Sequence, residues 1–225
     1  MNNMKINPKK CAVLNYKFNT KPVSLPPLII DDTRLNIVNS VNLLGAKLSD
    51  DLKWTQNTQN IITKCSAKLY MLSKLKAFKV SRQDLIKIWT TFIRPITEYV
   101  APLWHSSLTI TEKVKIERLQ KRALRIIMGV DYPGYTNALQ MLNLPSLKTR
   151  REDLAMKFSK DIMKSNKHRK LLPEKRNNVR TMRSNIGDQL IAQKCNTLRY
   201  YRSTIPYCTR LINNDVGCQF YCEKM

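Results

Sequence analysis

Two adjacent carboxylates, Asp50 and Asp51 in KLSDDLKW, stand in a chain with only 16 acidic residues against 40 basic ones. Hard oxygen ligands hold magnesium, and two metal ions can clamp the attacking and leaving oxygens of a phosphoryl transfer, so such a pair is a candidate for that chemistry. The competing reading is structural. Ser or Asp at an N-cap accepts hydrogen bonds from orphan amides, and acids in a first turn complement the helix dipole, so SDD ahead of an amphipathic run also reads as a helix start. His105 beside Ser106 and Ser107 suggests a nucleophile, but residues adjacent in sequence seldom build a triad, and no glycine elbow surrounds them. Cysteines stand at 11, 65, 195, 208, 218 and 222, and only Cys218 and Cys222 are close together. The two histidines, His105 and His168, are far from that pair, so neither a zinc-ligand spacing nor a disulfide framework is expected.

The residues in excess are cationic. A net charge of +24 and a pI of about 10.0 exceed what solubility needs and point to a polyanionic partner. Nucleic acid comes first, because counterion release from phosphates rewards such a surface, and an acidic membrane surface is the main competitor. Lys115, Arg118, Lys121, Arg122 and Arg125 fall on the polar face of a helix expected from about Thr111 to Met128. Lys121, Arg122 and Arg125 lie within about one turn, so their heads can follow a phosphate path, unless the face is merely solvated. Arg150 and Arg151 open the next helix and either line the same groove or pair with Glu152 and Asp153. Tyr200, Tyr201 and Tyr207, interleaved with Arg199, Arg202 and Arg210, suit base stacking or packing of the tail. Trp54, Trp89 and Trp104 fall at apolar helical positions or beside prolines and read as core.

These side chains need elements to position them, and 225 residues with 43% hydrophobic content can bury a core. Lys9 to Phe18, Leu28 to Ile30, Leu35 to Val38 and Val41 to Leu48 have strand-like composition, with Asp31-Asp32 as a turn. After Trp54 the period changes to helical. Ile61, Cys65, Leu69, Leu72 and Leu75 share one face, and Leu85, Ile88, Trp89, Phe92 and Ile96 make a second helix that Pro95 and Pro102 kink or end. A loop from Gly129 to Gly134 and a short helix from Tyr135 to Leu142 follow. A further helix from Leu147 to Met163 is expected to turn Leu147, Leu154, Phe158 and Ile162 inward. Residues 164–183 hold eight Lys or Arg and one Glu, which suits a solvated linker or an arm that orders on nucleic acid. The fold class expected is α+β, mainly α. No run approaches eighteen apolar residues and MNNMKINPKKC lacks an apolar signal core, so the expectation is an intracellular protein of nucleus or cytoplasm, without a transmembrane segment.

Read in order, LLGAKLSDDLKW, KLYMLSKLK, FIRPITEYVAPLWHSSLT, IERLQKRALRII, ALQMLNLPSLKTRREDL and TLRYYRSTIPYCTRLIN resemble the downstream part of a non-LTR (LINE-type, Jockey-like) retrotransposon reverse transcriptase. The resemblance runs from about Asn7 over nearly the whole chain. It implies a β-rich end of a palm over 1–50, a helical thumb-like domain over 51–163, and a basic linker and C-terminal region over 164–225. It also implies that the polymerase aspartates lie upstream of Met1, that Asp50 and Asp51 fall at the start of the thumb, and that the chain is a truncated RNA-directed DNA polymerase. Lys10, in NPKKC, matches a family lysine near the incoming nucleotide's phosphates, a role with no reaction to assist when the aspartates are absent. The implied activity is binding of RNA or an RNA/DNA template-primer duplex without polymerisation. No cofactor is implied, with magnesium needed only in an intact polymerase. The rivals are a split polymerase whose palm comes from another chain and a basic structural or membrane-surface protein.

Overall fold

The structure, a computed structural model, describes residues 6–16, 26–175 and 189–213. The chain divides into two compact units, Met1–Asn60 and Ile61–Met225. The boundary falls inside the first long helix rather than near residue 50.

The first unit is built from short strands. Asn7 opens it as an N-cap, its side chain accepting from the Lys9 amide at 3.0 Å and starting a 3-10 turn over Pro8–Lys10. Strands β1 (Ala12–Leu14) and β4 (Asn36–Val38) pair in parallel, while β2 (Ile29–Ile30) and β3 (Thr33–Arg34) form a hairpin. Asp31 and Asp32 carry that hairpin turn at φ of +44° and +57°, a left-handed region that Asp tolerates and that matches strand twist. The run from Val41 to Leu48, expected as one strand, is two: β5 (Ser40–Leu43) and β6 (Ala46–Ser49) meet at a Leu44-Gly45 turn, both with positive φ. Gly45 signalled the break, and Leu44 is the residue forced outward, 85% exposed.

Helix α1 (Thr55–Ala77) buries Ile61, Cys65, Leu69 and Leu72. After the Ser81 cap, α2 (Arg82–Ile88) runs into a π-helical turn over Trp89–Ile93 and then α3 (Arg94–Glu98). Pro95 has no amide to continue the α ladder, and the widened turn absorbs the loss. The extra residue rotates the inward face. Leu85, Trp89, Ile93 and Thr97 are buried, whereas Phe92, expected inside, is 71% exposed. Val100, at φ +49°, turns the chain into α4 (Ala101–Trp104).

Helix α5 (Ile110–Met128) packs on α2 and on α7 (Leu147–Lys164), with α6 (Tyr135–Met141) between them in sequence. On α7 the inward residues are Leu147, Arg151, Ala155, Ser159 and Ile162. Steps of four and three carry this face, so Phe158 turns outward at 38% exposure and Leu154 is only half-buried, against the expectation for both.

The region after α7 is no separate domain where it is described. Leu172, Leu190 and Cys208 share a buried cluster with Ile162 of α7. Asn213 closes it, its amide nitrogen donating to the Leu190 carbonyl at 2.9 Å and its oxygen accepting from the Leu190 amide at 2.8 Å. Helices α8 (Leu198–Arg202) and α9 (Thr204–Ile212) return to the body, with α9 on α7. Residues 164–175 are mostly exposed, and after a 3-10 turn at Arg169–Leu171 the chain docks through Leu172. Residues 176–183 lie outside the described residues.

Candidate nucleic-acid interface

Helix α5 is fixed at both ends. At its start Thr109 and Glu112 form a reciprocal capping box, the Thr109 hydroxyl accepting from the Glu112 amide at 3.2 Å and the Glu112 carboxylate accepting from the Thr109 amide at 2.9 Å. At its end Gly129 takes φ +63° and the Lys76 ammonium donates to the Ile127 carbonyl at 3.1 Å. A cation on a last-turn carbonyl satisfies an orphan acceptor and complements the dipole. Ile116, Leu119, Leu124 and Ile127 are buried along the inner face, each stabilising by about 1.5–3 kcal/mol.

This anchoring turns five of the helix's cations, Lys115, Arg118, Lys121, Arg122 and Arg125, outward and exposed. Lys115, Arg118, Arg122 and Arg125 follow one another by three or four residues, a row about 15 Å long at 1.5 Å per residue. Among the described residues the side chains of Lys115, Arg118 and Arg122 make no ion pair or hydrogen bond. Lys121 sits 5.0 Å from the Tyr135 ring centroid and Arg125 5.5 Å from that of Tyr132, so tyrosines hold these two heads toward α6. The two acids of α5 are spent inside: Glu112 on the cap, Glu117 on a buried network.

That network corrects the reading of Arg151. Its side chain is 0% exposed. Nε donates to His105 Nδ1 at 3.3 Å, and Nη2 lies 3.8 Å from Glu117 Oε2. Successive helix residues point about 100° apart, so Arg151 joins the core row of Leu147 and Ala155 and cannot line a groove. Arg150 stays nearer the surface but is committed to Glu98, through Nε and Nη2, both at 2.8 Å. The Glu98 bonds raise the Arg150 pKa. Neither arginine pairs with Glu152 or Asp153 in these contacts. Tyr135 and Gln120 complete the cluster: the Tyr135 hydroxyl bonds Glu117, and the Gln120 side chain accepts from the Leu147 amide at 2.9 Å and donates to the Pro145 carbonyl at 3.0 Å. Burial, then the Glu117 bond, pushes the Tyr135 phenol up. Sequence reasoning missed Glu117, Gln120 and Tyr135; the polar residues at buried helical spacing were the available signal.

His105 is a buried acceptor. Burial first, then the Arg151 charge, lowers its pKa to about 3. Neither Ser106 nor Ser107 hydrogen-bonds it: the Ser107 hydroxyl donates to the Arg202 carbonyl at 2.9 Å. Among the described residues no group of three or more His, Cys, Asp or Glu is placed to hold a metal ion. Cys218 and Cys222 lie outside the described residues.

The aspartate pair does not cap a helix, and among the described residues it belongs to no group of three or more candidate metal ligands. Helix α1 begins at Thr55 with no acid in its first turn, and Asp51 instead closes the tight turn after β6. Its Oδ1 accepts from the Ser49 hydroxyl at 2.7 Å and from the Lys53 amide at 3.0 Å, which allows Leu52 its φ of +52°. The Ser49 bond lowers the Asp51 pKa. Lys10 is exposed at the end of the first 3-10 turn, in the first unit. Arg199 is exposed and Arg202 half-buried on α8. Of the tryptophans, Trp89 and Trp104 are core and Trp54 is half-buried.

No family model, curated protein or solved structure matches the chain. Among the described residues no helix is long and apolar enough to cross a membrane.

Proposed function

We propose that this chain binds the phosphate backbone of RNA, or of an RNA/DNA template-primer duplex, through the outward face of α5, as a thumb-like module that does not polymerise by itself. The observation that carries this is the unneutralised row of Lys115, Arg118 and Arg122, continued by Lys121 and Arg125, on a helix whose own acids face inward. A solvated face gains little from clearing its acids, whereas a duplex carries one charge per ~1.7 Å of axis and rewards a rigid cationic row by counterion release. Contacts of this kind fix register without reading sequence, as a polymerase thumb requires. The resemblance to the thumb of non-LTR reverse transcriptases supports the same reading. In it Asp50 and Asp51 are turn residues, and the chain needs magnesium only as part of a complete polymerase.

Fluorescence anisotropy with a labelled primer-template across a salt series tests this, with vesicles rich in phosphatidylserine as the second ligand. Steep salt dependence, indifference to base sequence and preference for the duplex are expected. Equal affinity for the vesicles would transfer the function to membrane surfaces. Template-dependent extension by the homogeneous chain with dNTPs and magnesium would contradict the non-polymerising reading, and extension only with an added palm-bearing chain would make it half of a split enzyme.

A further inference from the structure

The corner formed by α8 and α9 carries a different arrangement of charge and aromatics from α5. The Arg210 guanidinium stands 3.7 Å from the Tyr201 ring centroid and 5.7 Å from that of Tyr207. Tyr207 in turn meets the His105 ring edge-on at 6.4 Å. Tyr201, Arg210 and Tyr207 thus brace the corner from within. Tyr200, one residue before Tyr201, is not in the brace: it is 44% exposed, and among the described residues its hydroxyl has no partner.

The helix that carries it is pinned. The Thr197 hydroxyl accepts from the Tyr200 amide at 3.2 Å, the Ser107 hydroxyl donates to the Arg202 carbonyl, and the Thr204 hydroxyl donates to the Leu103 carbonyl at 2.9 Å. Arg199 precedes Tyr200 on α8 and Arg202 follows it by two residues, and among the described residues neither makes an ion pair. Cations crowd the same corner. Lys113 of α5 has its ammonium pKa lowered by burial and then by Arg202 and Lys148, while the nearby acid, Glu152, pairs with Lys148 at 3.9 Å. An anion at this corner relieves that repulsion.

We propose that α8 and α9 form a second nucleic-acid contact, for single-stranded segments, in which the Tyr200 ring stacks a base and Arg199 and Arg202 take the flanking phosphates. An exposed aromatic on a held helix that also carries unpaired cations is the combination that single-strand tracks use, because every base has a π face and the backbone supplies the charge. Duplex bases are stacked on one another and offer Tyr200 no free face. This rests on the α5 reading only in taking nucleic acid as the ligand, since the two surfaces use different residues.

The test uses the full chain with a single-stranded oligonucleotide containing 2-aminopurine and, separately, a blunt duplex. Wild type should quench 2-aminopurine on binding, the signature of stacking. Tyr200→Ala should weaken single-strand binding roughly 5- to 150-fold, while Tyr200→Phe stays near wild type and all three bind the duplex alike. Binding without quenching, an unchanged affinity for Tyr200→Ala, or an equal loss on the duplex would each overturn the proposal. Duplex binding without single-strand binding would overturn it and leave the α5 reading standing; failure to bind either would remove both.

Discussion

Replacing Arg151 separates a structural cation from a phosphate-binding one. The side chain is fully buried, and its partner Glu117 keeps 18% exposure. The ion pair at 3.8 Å is too long for a hydrogen bond, and Nη1 and Nη2 have no hydrogen-bond partner among the described residues. Breaking a buried pair from one side costs about 3–5 kcal/mol, and the partial exposure of Glu117 puts Arg151→Ala near the lower end. Removing both charges should cost less than removing Arg151 alone. A pair with such poor geometry does not repay its desolvation, so Arg151→Met with Glu117→Gln should lie within about 1–3 kcal/mol of wild type, the remaining loss being the Nε bond to the buried His105 that Met cannot make. Gln at 117 keeps an oxygen for the Tyr135 hydroxyl and the Leu147 amide, the bonds that Glu117 Oε1 accepts now. Urea denaturation followed by far-UV circular dichroism reads both values, and a salt series on a duplex reads binding. The double variant should keep the wild-type slope of log affinity against log salt. A folded double variant whose slope falls by about one unit would mean that Arg151 reaches a phosphate, and the buried placement would be wrong.

His105 gives a pH dependence. Its folded pKa, about 3, lies below the ordinary 6.5, so the unfolded chain takes the proton first. The His105 contribution is complete above pH 6.5 and is lost as pH falls from 6.5 toward 3, at up to about 1.4 kcal/mol per pH unit. Urea midpoints between pH 7 and 5 should fall for wild type and stay flatter for His105→Asn, which keeps an acceptor for Arg151; identical curves would refute this. Asp51→Ala should cost about 1–2 kcal/mol by losing the Ser49 and Lys53 bonds, Asp51→Asn clearly less, with nucleic-acid affinity unchanged in both. A magnesium-dependent activity abolished by Asp50→Asn with Asp51→Asn would restore the metal reading.

Helices whose ends are written in local chemistry were legible. Helices α5 and α7 lie within one residue of expectation because Thr109 and Ser146 cap them and their faces keep a steady period. The second helix was misread because counting at 3.6 residues per turn assumes a constant ladder, and the π turn before Pro95 inserts a residue that exchanges Phe92 for Ile93. At the candidate site the cationic row was visible as spacing, while the fate of Arg151 was hidden by its neighbour: a basic pair looks like one feature in sequence but points two ways on a helix. SDD was misplaced for a related reason. An Asp oxygen that accepts from a following amide serves an Asx turn as well as an N-cap, and only the positive φ at Leu52 decides between them.

The central claim is that the α5 row grips phosphates, and the free heads Lys115, Arg118 and Arg122 test it most directly. With all three changed to Ala, a substitution that favours helix, far-UV circular dichroism should match wild type. If each makes one contact, the slope of log affinity against log salt for a primer-template should flatten by about 2.7, three contacts at roughly 0.9 each. A folded triple variant with an unchanged slope would contradict the assignment and leave this face merely solvated.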